Sequence, residues 1–538
     1  MDMKSLLQLS FYLLFYSFHV VVLYFYLIWS IGNGVKQKCL GYWGCARFIN
    51  QSSFDYAVDL ADGQWREFRN SLGLLFKSVI GITIIFWVYK KSFGSVRCTE
   101  ENVSWFRVVV GLVVLFIQHG LHSFIILCIA YIGYHVFKIF RGYKYLHPIV
   151  TWLFALSILF FKESYRWKHL PGFHFLVPLF DKGRYGGLYG WQLPANFLVL
   201  RMVSYSMDAH WSLTKPQAPH PVEKGSEEKK CPFAPPASTT VSSDYNPIHY
   251  YAYILYCPLY MAGPIITFND YMKYTHTPQQ KESSLRYAVR WLFAYGLLEL
   301  LTNQFPFFAV VASGMLPYLS ISEIAVVFYV LLKLMWLKFL VIWRFFRLWA
   351  LVDGIAPPEN MTRCMSNNRS LEAFWKGWHS SYNLWLVRYI YKPLGGRNSR
   401  VWSVWLIFLF VALWHDLEWK LILWGLLNGF FYVVEVYARR LAETSMMQSL
   451  PSTILHMVVV LSGATYILVL ISVNLIGYGA GVGWISIVQE KLLSVEGYRT
   501  LFVSYYFLCI GVKLMMFIEE LRSEWSSTSQ TEVVKKDK

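Results

Sequence analysis

The sequence predicts an all-α polytopic membrane protein, a helical bundle of roughly 9–12 spans plus re-entrant helices. Three observations carry this. The chain of 538 residues is 56% hydrophobic and only 15% charged, with a mean hydropathy of +0.38; a water-soluble chain of that length needs far more charge to cover its cores. The apolar residues fall in runs of about 20, the length that crosses roughly 30 Å of hydrocarbon. Those runs are continuous rather than alternating, as helices require and strands do not.

Taken in order, the first run, about 6–31, is too long for a signal-peptide core and is followed by no small-residue cleavage site, so it reads as a retained span. Further candidates are 72–89, 107–118, 121–138, 148–161, 250–267, 287–301, 305–317, 322–342, 401–414, 419–437, 452–476 and 499–517, several short enough to be re-entrant. Residues 1–190 form an N-terminal set of spans, 191–485 a core, and 486–538 a last span with a cytosolic tail. The stretch 209–247, rich in Pro, Ser, Lys and Glu, buries no core and reads as mobile. Lys90, Lys91 and Arg97 mark the end of the second run as cytosolic, and the charge-balanced first loop as lumenal. Of the sequons at Asn50, Asn102, Asn360 and Asn368, Asn50 is the expected acceptor. Lys535 and Lys536 match a dilysine signal for return to the endoplasmic reticulum, with a frayed basic terminus as the alternative.

The net charge of +17 suggests bases facing anionic lipid rather than nucleic acid in a chain this apolar. None of the eight cysteines forms a CxxC pair, so zinc spacing is missing and no metal is expected. Cys39 and Cys45 share a loop that permits pairing if it is lumenal, but free cysteines are the expectation. His119 and His122, three apart, have nothing to complete a metal site. GYGAGVG at 477–483 follows an apolar span rather than a Rossmann strand and reads as a loop.

Two segments carry chemistry. FWKGWHSSYNLWLVRYIYKPLGG, 374–396, is too polar to span and too aromatic for an ordinary loop. His379 and Asn383 share a face if it is helical, as do Arg388 and Lys392, and Pro393 with Gly395 and Gly396 stops it. An interfacial amphipathic helix is the competing reading. His415 ends the apolar run VWSVWLIFLFVALW, and an ionisable group at membrane depth is costly enough to be a functional candidate. A neutral histidine satisfied by a neighbouring helix is the alternative. Asp416 follows it but points about 100° away in a helix. Between 361 and 400 stand seven bases (Arg363, Arg369, Lys376, Arg388, Lys392, Arg397 and Arg400) against the single acid Glu372. That density suits the phosphates of coenzyme A, or anionic head groups.

The combination FW-x3-H-x3-N-x4-RYIY-x-PLGG followed by VALWHD resembles the membrane-bound O-acyltransferase superfamily, in its glycerol-uptake-protein branch, related to Hedgehog acyltransferase. NFLVLRMVSYSMDAHW at 196–211, YILYCPLYMAGPIITFNDY at 253–271 and NLIGYGAGV at 474–482 look like the same branch, so the resemblance covers roughly 190–485. It implies the superfamily's helical bundle and acyl transfer from acyl-CoA as co-substrate, with no bound cofactor. It implies His415 as the superfamily histidine and His379 at the second polar catalytic position, where Hedgehog acyltransferase looks to have Asp. The branch's association with glycosylphosphatidylinositol anchors implies a lyso-lipid hydroxyl acceptor in the endoplasmic reticulum membrane.

The residues agree with a general-base mechanism: neutral imidazole suits deprotonation of a hydroxyl attacking a thioester. On this reading His415 is the base. His379, with Asn383, holds the acceptor or the oxyanion; Arg388, Lys392, Arg397 and Arg400 hold coenzyme A; Trp375, Trp378 and Trp385 wall the acyl tunnel. Protein acylation, glycerol transport and a catalytically silent regulator are the competing functions. Acceptor identity, acyl chain length and oligomeric state are not legible.

Overall fold

The computed structural model describes residues 3–51, 57–97, 99–166, 187–214, 242–277 and 284–536. It is an all-α bundle; among these residues the strands are one short antiparallel hairpin, Ile49–Gln51 with Ala57–Asp59. Nine helices among the described residues are long and apolar enough to cross a membrane. Many of their large apolar side chains face outward, such as Leu74, Ile80 and Trp87 on the Gly63–Arg97 helix, as lipid-facing surfaces require. The Ile321–Val352 helix is the exception. Its apolar residues run all round, most are buried, and it forms an axial post. A capping box between Ser320 and Glu323 starts it.

Two expected spans are broken. The 250–267 stretch holds the short helices Pro247–Ile254 and Cys257–Tyr260 and then an irregular segment. Pro258 and the left-handed Gly263 interrupt it, and a Cβ at Gly263 would lie 2.8 Å from Phe346. The 305–317 stretch holds only the six-residue helix Phe307–Ala312. The first helix, by contrast, outruns its apolar stretch: it continues through a π-turn at Val22–Ile28 to Gly41. Most of the polar 209–247 segment, 215–241, lies outside the described residues, as do the side chains of Asn50 and of Lys535 and Lys536. The start of that segment is ordered, as the end of the long Gln192–Thr214 helix.

That helix is nearly all buried although its sequence is too polar for a span. Its polar groups are satisfied by neighbours. The Arg201 guanidinium donates to the carbonyls of Tyr253, Ile254 and Leu259. The Ser204 hydroxyl accepts from Phe268 N–H and shares a hydrogen bond with Tyr389. Asp208 pairs with Arg388.

Cys39 and Cys45 form a disulfide with Cα atoms 5.2 Å apart, contrary to the expectation of free thiols. The tight Tyr42 turn between two helices brings them together. A disulfide suits an oxidising compartment on that side of the membrane.

Candidate active site

One large cavity, about 1460 Å³, runs between the axial Ile321–Val352 helix and the 371–424 region. That exceeds the range of about 300–1,000 Å³ usual for a single small ligand. Its walls are mostly apolar and aromatic. Its polar lining includes Lys392, Arg397 and Arg400, and also Asp62, Gln64 and Lys338. Lys338 sits inside the axial helix, and its ammonium is held by Asp62 at 2.7 Å and Gln64 at 3.1 Å.

The 374–396 segment builds one wall, but not as a single helix. Leu371–Gly377 ends at Trp378, Ser380–Leu386 follows, then a π-turn Val387–Tyr391 and a 3-10 turn Gly396–Ser399. His379 joins the first two pieces. Its backbone is left-handed, with φ 45° and ψ 47°, and it is the only non-glycine residue of positive φ among those described. A non-glycine residue of positive φ is uncommon, although His is among the types that adopt it more readily, and it tends to sit where the surroundings enforce it. Here Asn360 does so: its carbonyl accepts from Ser380 N–H, and its side chain accepts from the Ser381 hydroxyl. The bend turns the imidazole into the cavity wall, stacked on Trp343 with ring centres 4.4 Å apart. Gly395, at φ 102°, ends the segment as Pro393 and the glycines suggest.

His415 reaches the same cavity from the last position of the Arg400–His415 helix. Trp414 lies between the two histidines, 6.2 Å from the His379 ring and 4.7 Å from that of His415. Asp416 leaves the helix in an extended conformation. Arg400 and His415 stand at opposite ends of one helix, about 22 Å apart at 1.5 Å per residue.

Five buried polar atoms on the cavity wall find no hydrogen-bond partner among the described residues: Gln118 Oε1, His379 Nε2, Tyr382 OH, Tyr478 OH and Trp375 Nε1. Buried polar atoms are rarely left so, and a ligand is one reason for it.

Other expected site residues divide. Asn383, Trp375 and Trp378 line the cavity, as do Lys392, Arg397 and Arg400. Trp385 does not. It is fully buried in the core, stacked on Phe410, and donates to the Leu200 carbonyl. Arg388 does not either: it turns the other way to bond Asp208 through Nε and Nη2, at 3.2 and 2.8 Å. The basic excess is smaller than the sequence count. Lys376, Arg400 and the more distant Arg439 all bind Glu372, and Arg369 binds Glu519. Burial works to raise the Glu372 carboxyl, but Lys376, Arg439 and Arg400 overrule it and hold it below its usual range.

The 477–483 stretch is not a plain loop. Leu475–Gly479 forms a π-turn that presses on Trp424, where a Cβ at Gly477 would lie 2.6 Å from the indole. The turn delivers Tyr478 to the cavity, its ring 5.5 Å from that of His415. Sequence reading missed this residue; an aromatic hydroxyl just past the apolar run 452–476 was the available signal.

Comparison with known proteins agrees with this architecture. The family model described as MBOAT, membrane-bound O-acyltransferase family, matches residues 184–480. The chain is 32% identical to membrane-bound O-acyltransferase gup1 of Schizosaccharomyces pombe over 474 residues, 86% of this chain and 81% of the relative. It is 33% identical to membrane-bound O-acyltransferase GUP1 of Saccharomyces cerevisiae over 485 residues, 87% of this chain and 83% of the relative. It is 27% identical over 227 residues to the protein-cysteine N-palmitoyltransferase HHAT of Mus musculus, 39% of this chain and 45% of the relative. A cavity walled by the two histidines, on a helical bundle matched over more than half its length, places this chain in the membrane-bound O-acyltransferase family.

Proposed function

We propose that this chain transfers a long-chain acyl group from acyl-CoA to a hydroxyl of a lipid acceptor in the endoplasmic reticulum membrane, with lyso-glycosylphosphatidylinositol as the acceptor. The observation that carries the reading is the placement of His379 and His415 on one long apolar cavity with a cationic rim at Lys392 and Arg397. The volume suits two lipidic substrates at once.

In this mechanism the coenzyme A phosphates rest against Lys392, Arg397 and Arg400, and the thioester reaches inward along the Arg400–His415 helix. His415 takes the proton of the acceptor hydroxyl as its oxygen attacks the thioester carbonyl. His379 donates to the oxyanion, a contribution of about 3–4 kcal/mol for a well-placed donor. The carbon–sulfur bond then breaks, the new ester leaves with the acceptor, and the coenzyme A sulfur carries off the proton from His415. Trp375 and Trp378 wall the acyl chain, and Asn383 orients the acceptor. Arg388 and Trp385 have no part in it.

The test is transfer from radiolabelled palmitoyl- or stearoyl-CoA to endoplasmic-reticulum lipids by purified protein, wild type beside His415→Ala. The expected loss in the variant is about 10²–10⁴-fold. Equal rates in the two, or none in folded wild type, would reject the reading. Label on a polypeptide instead would favour the activity named for the mouse relative.

A further inference from the structure

The lysine nearest the proposed base is not on the cavity rim but deep in the bundle. Lys162 lies near the end of the Leu146–Arg166 helix and is almost wholly buried. Its ammonium contacts Glu163 at 3.0 Å and Asn196 Oδ1 at 3.0 Å. It also reaches, at 3.5 Å each, the backbone carbonyl of His415 and the carboxylate of Asp416. Asn196, on the Gln192–Thr214 helix, closes the arrangement from the other side: its backbone carbonyl accepts from the Trp414 indole at 2.9 Å.

We infer that Lys162 is a positioning residue for His415, clamping the end of the helix that carries the imidazole. His415 is the final residue of that helix. The last carbonyls of a helix lack intrahelical partners, and a helix end frays unless something holds it. A cation there meets both the free carbonyl and the negative end of the macrodipole. Lys162 is such a cation, and it grips the residue on each side of the helix boundary. Stability alone is a poor explanation. A buried ion cluster generally contributes less than apolar packing of the same volume, and a charge taken out of water is expensive to keep. Its position behind the candidate base, with Asn196 holding the adjacent Trp414, accounts for that expense.

The inference rests on His415 being the base, and the experiment separates the two. Acyl transfer is measured with palmitoyl-CoA for wild type, Lys162→Met, Lys162→Arg, His415→Ala and the Lys162→Met/His415→Ala double variant. Lys162→Met is expected to lower kcat about 10²-fold, the scale of an ångström-level misplacement, with KM for palmitoyl-CoA unchanged. Lys162→Arg recovers most of that. In the His415→Ala background Lys162→Met adds nothing, because the two act as one unit. Additive losses, an unchanged kcat per folded molecule, or a change confined to KM would overturn the inference while leaving the base in place. A His415→Ala protein at full rate would sink the base and the clamp together. If Lys162→Met does not fold, Asp416→Asn carries the same expectation of a loss in kcat alone, and an unchanged kcat there overturns the clamp.

Discussion

Two clusters of polar side chains lie in the interior of this bundle, and they are built on opposite plans. Around the Gln192–Thr214 helix the principal polar groups meet protein partners. Arg201 is spent on three carbonyls, Asp208 on Arg388 and the Asn269 N–H, and Ser204 on Phe268 and Tyr389. Along the cavity, His379, Tyr382, Tyr478 and Trp375 each present an atom that finds no partner among the described residues. The first cluster ties helices to one another; the second lines the cavity on which the two histidines meet. Burial and polarity alone do not separate scaffold from site. Position on the cavity wall does.

The largest expected effects set the two against each other. Asp208→Ala leaves the half-buried Arg388 guanidinium without its carboxylate, at a cost of about 1.5–3 kcal/mol; folded yield and Tm in detergent should fall. His379→Gly removes a cavity-wall group packed on Trp343 but relieves its left-handed backbone, so Tm should fall less than in Asp208→Ala while transfer falls about 10²–10³-fold. A large Tm loss in His379→Gly, or full stability in Asp208→Ala, would dissolve the distinction. The two arginines offer a smaller contrast. Arg397→Glu should raise KM for acyl-CoA about tenfold with kcat kept, whereas Arg388→Ala should lower stability, because Arg388 faces Asp208 rather than the cavity. The smallest effect depends on pH. His276 bridges Glu100 and Asp244. Burial alone would lower its imidazole, but the two carboxylates outweigh that and raise it above its usual value. A raised histidine contributes fully below about pH 6.5 and loses its contribution as pH rises through the folded value. His276→Gln should therefore lower Tm by about 1–2 °C at pH 6 and less at pH 8.5.

What could be read from the sequence followed hydropathy and local spacing. Apolar runs of about 20 residues reveal spans because the bilayer sets their length, and a histidine ending an apolar run marks His415 as the candidate that the structure brings to the cavity. Long-range pairing was hidden. Seven bases against Glu372 looked like an anion site. The sequence does not show that Arg388 is claimed by Asp208, 180 residues upstream, or that Arg400 is shared with Glu372. Trp378 and Trp385 look alike in the chain, yet one faces the cavity and the other the core. The bend at His379 was hidden too, because it is imposed by Asn360 on a preceding segment. The Gln192–Thr214 helix is not evident as a buried helix because Asn196, Arg201, Asp208 and His210 stand among its buried apolar residues; hydropathy sees lipid exposure, not burial against protein.

The long reach between Asp208 and Arg388 bears on how such a chain is made. A segment carrying Arg201, Asp208 and His210 has little tendency to enter a bilayer alone. When it leaves the ribosome, the partner of its carboxylate, 180 residues downstream, has yet to be synthesised. Until then the segment depends on shelter from the translocon or on helices already inserted, such as Leu146–Arg166. The order of synthesis thus leaves an interval in which the nascent bundle is incomplete and open to quality control, and that interval closes only when the 374–396 segment arrives.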